Sequence, residues 1–219
     1  MKRNVLLSIL FMLLLHDSVA QLYLDNNFTA KYLVEQVLLA GDKSILVENV
    51  KYRRSENAIS FFQSSCQSID MKEGVLLTTG HFMQVATPNR FGNSGNSNFK
   101  VGDAMLKQIA NGITYDAAVL EFDFYPNADS ISFNFFFASE EYPEFVDKGV
   151  NDVFAFFISG PGIQGIKNLA VLPNSIEPIT VDHINNKKNS NYYIENKLWI
   201  PSNYEYFKYN QWAGELSYN

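Results

Sequence analysis

The chain has 219 residues, of which 15% are aromatic and 18% charged, and a formal net charge of -6. With 18 Phe and 12 Tyr, this composition is sheet-like and excludes a disordered chain. The acidic excess weighs against nucleic acid or an anionic membrane as a partner and suits an extracellular module that handles cations.

Lys2 and Arg3 precede the apolar run Val5 to Leu15, and Ser18-Val19-Ala20 then offers small residues where a signal peptidase reads, with Gln21 next. The run falls short of the ~20 residues a membrane span needs. Residues 1–20 are therefore expected to be a cleaved secretory signal, leaving no stable membrane span and a charge one unit more negative. Roughly 200 residues remain, the size of a single domain over 21–219. Cys66 is the single cysteine, so no internal disulfide holds the fold and Cys66 reads as a small buried hydrophobe.

The mature start reads as a helix: Thr29 caps Ala30 to Ala40, Leu33, Val37 and Ala40 form its apolar stripe, and Gly41 stops it. Ser44 to Val50 and Ala58 to Phe62 are strand candidates. Gly74 to Gly80, apolar and β-branched between glycines, reads as a core strand with turns at both ends. Asn89 to Asn98 is a Gly- and Asn-rich loop without a phosphate-binding pattern. Asp103 to Asn111 reads as a second short helix, with Asp103 as its cap and Gly112 as its stop.

From Ala117 the pattern becomes clean alternation. Leu120, Phe122 and Phe124 face one way and Glu121 and Asp123 the other; after a turn at Pro126 to Asp129, Ile131, Phe133, Phe135 and Phe137 line one face of the next strand. Val153 to Ile158 is apolar on both faces, as in a strand covered on both sides, and Gly160-Pro161-Gly162 turns the chain. Few helical patterns could serve as crossovers. The expected fold is therefore mainly β, an antiparallel, jelly-roll-like β-sandwich with one or two short peripheral helices. The tail from Lys187, rich in Asn, Tyr and Lys and holding Trp199 and Trp212, shows no long clean strand.

The loop between the two most aromatic strands carries Glu140, Glu141, Glu144, Asp147 and Asp152, and Lys148 is its only cation. Crowded carboxylates raise one another's pKa unless a cation balances them. Calcium suits that role, because it is a hard ion taking several oxygens; the candidate ligands are Glu140, Glu141, Asp147, Asn151 and Asp152. The D-x-[DN]-x-[DN]-G pattern is missing, which excludes an EF-hand. The same carboxylates admit a glycoside hydrolase in which Glu140 or Glu141 works with Asp152, provided they stand roughly 5 to 9.5 Å apart. They also admit an inert structural loop whose glutamates face water.

Four segments together resemble the choice-of-anchor L domain. They are G-V-L-L-T-T-G at 74 to 80, D-x-x-x-L-E-F-D-F at 116 to 124, F-x-F-F-F-A-S-E-E-Y-P-E-F-V at 133 to 146 and N-D-V-F-A-F-F-I-S-G-P-G at 151 to 162. The resemblance runs from about Thr29 to the end of the chain. It implies a β-rich module of secreted or outer cell-surface proteins, notably of Bacteroidetes, with a surface or adhesion role and no catalytic mechanism to transfer. Members usually continue through further strands into repeats or an anchor, so a chain ending at Asn219 reads as truncated at its C-terminus. The leading expectation is a secreted or surface binding module, stabilised by Ca2+, whose partner is an extracellular glycan or protein and not nucleic acid. A carbohydrate-active hydrolase and an inert structural domain are the alternatives.

Overall fold

The structure is a computed structural model that describes residues 22–65, 71–87, 96–194 and the backbone of 210–218. The expected signal segment, Cys66, Trp199 and most of the Asn89 to Asn98 loop lie outside the described residues.

Among the described residues eleven strands follow in chain order: β1 (Leu22–Asp25), β2 (Leu46–Arg53), β3 (Ile59–Ser64), β4 (Glu73–Leu77), β5 (Val119–Tyr125), β6 (Ile131–Ser139), β7 (Val153–Phe154), β8 (Phe157–Ile158), β9 (Lys167–Asn168), β10 (Ile179–Thr180) and β11 (Asn210–Tyr218). Their pairings are all antiparallel, in the orders β1-β3-β4, β2-β5, β6-β11, β7-β10 and β8-β9. The fold is mainly β with two short helices, as the alternating patterns predict.

Alternation decides where the core lies. On β6, Phe133, Phe135 and Phe137 are buried while Ser132, Asn134 and Ala138 are exposed. Their rings meet the next apolar segment: Phe133 lies 5.0 Å from Phe156 and Phe135 stacks 5.0 Å from Phe154, centroid to centroid. Ile179, Val181, Ile184, Ala170 and Leu172 close the same cluster, and Val34, Leu39 and Val47 join it. Each ring fully removed from water contributes on the order of 1.5 to 3 kcal/mol. Strand β5 repeats the rule, with Leu120, Phe122 and Phe124 half-buried and Glu121 and Asp123 exposed. Its pairing with β2 jumps from Glu48↔Asp123 to Lys51↔Glu121, a bulge in which Asn49 takes φ 52° and its Nδ2 donates to Asp123 Oδ2 at 2.6 Å. An Asn tolerates that left-handed backbone, and here its amide also holds the partner strand.

Four expectations need correction. Thr29 caps as expected, accepting from the Tyr32 amide at 3.2 Å, but after Ala30–Tyr32 the helix widens to a π-helix over Leu33–Leu38. Leu39 donates to the carbonyl of Val34, five residues back, so residues five apart come to lie over one another. The buried face is Leu33, Val34 and Leu39, with Leu38 packed beside it, and Ala40 is exposed. The 33/37/40 stripe assumed an α period that core packing overrides.

In segment 74–80 the strand ends at Leu77 and is an edge strand, half-buried at best, because among the described residues β4 pairs with β3 alone. Segment 153–158 is not continuous: β7 pairs with β10 and β8 with β9, and between them the Asn168 side chain accepts from the Phe156 amide at 3.0 Å, a place a strand carbonyl would occupy. Finally, the tail does hold a long strand. β11 pairs residue for residue with β6, from Asn210↔Ser139 to Tyr218↔Ile131. Its sequence, with Gly214 and scattered polar residues, has little intrinsic β preference; the long-range pairing imposes it.

The second helix, Ala104–Ala110, is as expected. Asp103 accepts from the Met105 and Leu106 amides, and Asn111, at φ 51°, ends the helix one residue before Gly112.

Candidate functional site: the acidic end

Strand β6 stops at Ser139, and the next residues coil into a compact turn. Phe145 donates to the Glu141 carbonyl at 2.9 Å. This single helical turn places Tyr142 and Val146, four apart, on one inward face, and they are 2% and 3% exposed. The Tyr142 hydroxyl donates to the Ile184 carbonyl, its ring meets Tyr193 edge-on at 5.3 Å, and its peptide bond to Pro143 is cis. Burial raises the Tyr142 pKa, so the hydroxyl keeps its proton. Tyr142 is thus a core anchor. Asp147 at φ 59° and Gly149 at φ 82° then return the chain to Asn151. A Cβ at Gly149 would meet nothing within 4 Å, so this glycine answers to backbone conformation alone.

With the aromatic and apolar side chains inside, the carboxylates gather at the rim. Ser139 stitches the two ends of the loop: its Oγ donates to Asp152 Oδ2 at 2.8 Å and accepts from the Glu141 amide at 3.1 Å. A third segment enters after β10. Asp182 Oδ1 accepts from the Asp147 amide at 2.8 Å, Asn151 Oδ1 accepts from the Asp182 amide at 3.1 Å, and Val181 donates to the Asp152 carbonyl at 3.1 Å. Asn185, itself buried, shapes that segment. Its Nδ2 donates to the Val181 carbonyl and its Oδ1 accepts from the amides of Lys187 and Lys188.

The electrostatics are one-sided. Glu141 is half-buried, but its Oε2 is out of solvent and has no hydrogen-bond partner. Burial first, then the charges of Asp152, Glu140 and Asp182, push its pKa up to about 7. Burial also raises the pKa of Asp152, and the hydrogen bond from Ser139 pulls against that shift. Of the residues singled out in the sequence, Glu140 and Asp152 are therefore each close enough for their charge to act on Glu141. Asn151 joins them through a hydrogen bond that holds the backbone. Asp147 is exposed and enters through its main-chain amide. Ser139 and Asp182 were not foreseen; Asp182 lies 30 residues beyond Asp152, and no spacing rule links the two. Among the described residues, no three acidic, histidine or cysteine side chains converge as a bound metal requires.

An antiparallel β fold, with no helix among the described residues long and apolar enough to cross a membrane, defines a β-rich module. Residues 19–219 match the model of the choice-of-anchor L domain, and the chain belongs to that family. The family is one of extracellular or cell-surface proteins. No curated protein and no solved structure shows a significant match to the chain.

Proposed function

We propose that the chain is a noncatalytic binding or adhesion module that acts outside the cell, and that its acidic end responds to protons and to calcium. The observation that carries this reading is the Glu141 Oε2 atom, buried and unpartnered beside Asp152, Glu140 and Asp182. An ionised carboxylate in that position is unstable until a proton or a cation joins it. Calcium is the hard, oxygen-seeking ion suited to replace the proton, and Glu140, Glu141 and Asp152 would have to turn toward it as it binds, with Asn151 and Asp147 at the margin. A calorimetric titration with CaCl2 at pH 8 and at pH 5.5 tests this: heat is expected at pH 8, weaker heat at pH 5.5 where the proton competes, and none in Glu141→Gln. Equal heats in wild type and Glu141→Gln would remove calcium from the reading.

The hydrolase alternative keeps one supporting observation, since a carboxyl held at about 7 beside a second carboxylate suits a general acid. Both carboxyls are shifted upward, however, and the mechanism needs one of the pair ionised. Release of reducing sugar from a polysaccharide panel, lost in Asp152→Asn, would establish the hydrolase and overturn the noncatalytic reading.

A further inference from the structure

The tip of the acidic loop is joined to the rest of the fold by a narrow polar seam. On one side lie Asp147 to Val150, all of them exposed. On the other lies the turn after β10, where Val181, Ile184 and Asn185, at 0%, 1% and 1% exposure, anchor their segment in the interior. Among the described residues the hydrogen bonds that close the seam end on Asp182. Its Oδ1 accepts from the Asp147 amide at 2.8 Å, and its own amide donates to Asn151 Oδ1 at 3.1 Å.

Asp182 fastens the tip and also works against Glu141. The charges that act on the Glu141 carboxyl come from three segments: Glu140 beside it in the chain, Asp152 just before β7, and Asp182 in the turn. All three are acidic. The Glu141 Oε2 atom is out of solvent and has no hydrogen-bond partner, so no donor spreads its charge. Once Glu141 ionises, like charges face one another where water screens them poorly, and one of the groups has to give way.

The bonds on each segment decide which group moves. Asp152 is pinned twice, since Ser139 Oγ donates to its side chain at 2.8 Å and Val181 donates to its carbonyl at 3.1 Å. Glu140 is bonded to Glu141 in the chain, so no loop motion parts them. Glu141 and Asp147 belong to one loop and Asp182 to the facing turn, so repulsion between Glu141 and Asp182 acts across the seam that the Asp147 amide closes. The turn is anchored in the interior; the tip is exposed and carries its own hinge, with Asp147 at φ 59° and Gly149 at φ 82°. Tyr142 and Val146, 2% and 3% exposed, keep the base of the loop in place.

We propose that the loop tip Asp147 to Val150 is a proton-controlled latch, closed on Asp182 while Glu141 carries a proton and released when Glu141 ionises. A cation taken up at Glu141 closes it again by neutralising the same charge. Release frees the Asp147 and Asp182 amides and the Asn151 side chain for other partners, so this end of the molecule offers a different surface in acid and in neutral surroundings. The latch rests on the acidic end answering to protons, as proposed above, and locates where in the chain that answer is felt.

Amide hydrogen exchange of the full chain, resolved by NMR and corrected for the intrinsic effect of pH, tests the latch. Protection of the Asp147 and Asp182 amides should be about tenfold lower at pH 8 than at pH 5.5. Sub-denaturing urea should leave it unchanged, since a local opening exposes little surface. Glu141→Gln should hold both amides at their pH 5.5 protection throughout. Asp182→Asn keeps the acceptor and drops the charge, so its pH response should shrink; Asp182→Ala removes the acceptor and should leave the Asp147 amide unprotected at both pH values. CaCl2 at pH 8 should restore protection in wild type. A pH response that vanishes in Glu141→Gln, with CaCl2 having no effect, would uphold the latch and remove calcium from the reading above, so the two fail separately. Equal protection of Asp147 at both pH values would overturn the latch, as would a pH response that persists in Glu141→Gln. A response shared equally by the amides of β2 and β5 would also overturn it, by assigning the effect to unfolding of the whole chain.

Discussion

Asp116 and Glu141 are both carboxylates drawn away from solvent, yet they meet opposite surroundings. Asp116 receives two amides and a hydroxyl, and with them it fixes the conformation of residues 97–100. Glu141 offers Oε2 to nothing and faces Asp152, Glu140 and Asp182. The first carboxylate works as a structural acceptor, and its charge is an asset because donors converge on it. The second is a liability above neutral pH and becomes comfortable on gaining a proton or a cation. Burial alone thus says little about a carboxylate's role; the groups aimed at it decide.

Substitutions can break this contrast. The largest effect belongs to the anchor beneath the acidic end: Tyr142→Ala should destabilise by about 4 kcal/mol in urea unfolding, through the cavity left by a fully buried ring. A loss under about 1 kcal/mol would mean that the loop sits on the core without belonging to it. Asp116→Ala follows at about 3 kcal/mol, since three donors lose their acceptor together.

Glu141→Gln should act in the other direction. The folded pKa of about 7 lies above the ordinary 4.5, so the folded chain holds the proton more tightly than the unfolded one. The stability this contributes is full below pH 4.5 and is lost as pH rises through 7. Asp152, also shifted upward, adds to the same trend from a lower starting point. Wild type should therefore lose about 1 to 2 kcal/mol across that window once solvent screening of a half-exposed group is allowed for. Glu141→Gln should flatten the profile and be the more stable protein at pH 8; a steeper profile would show that the two carboxylates have been assigned the wrong roles. Smallest of all is Arg53→Ala, outside both regions. Its exposed contact with Glu121 at 3.2 Å should be worth about 0.3 kcal/mol by thermal melting.

What was legible in the sequence is what has a short period. Leu120, Phe122 and Phe124, and then Phe133, Phe135 and Phe137, point inward as their alternation requires. Thr29 and Asp103 cap the helices they precede. The acidic loop was visible as a run of carboxylates, and the charges of Glu140 and Asp152 do bear on Glu141. Other features depend on partners remote in sequence. The π-helical turn at Leu33–Leu38 follows from packing Val34 and Leu39 together, and the break between β7 and β8 depends on Asn168. Strand β11 exists through β6, and Asp182 reaches the acidic end through a fold that brings residue 182 beside residue 147. No local pattern encodes such meetings.

The pairing of β6 with β11 sets a timetable. Ser139 waits for Asn210 and Ile131 for Tyr218, so a ribosome must add roughly 70 to 90 further residues before the strand's partner exists, several seconds at ordinary synthesis rates. Among the described residues β6 has no other strand neighbour. During that interval each nascent chain carries a nine-residue, phenylalanine-rich ribbon with free amides and carbonyls on both sides, the form most open to zipping with another nascent copy. Crowded polysomes and fast overexpression should therefore tax the yield of this protein more than its final stability suggests, and slowing synthesis should recover it.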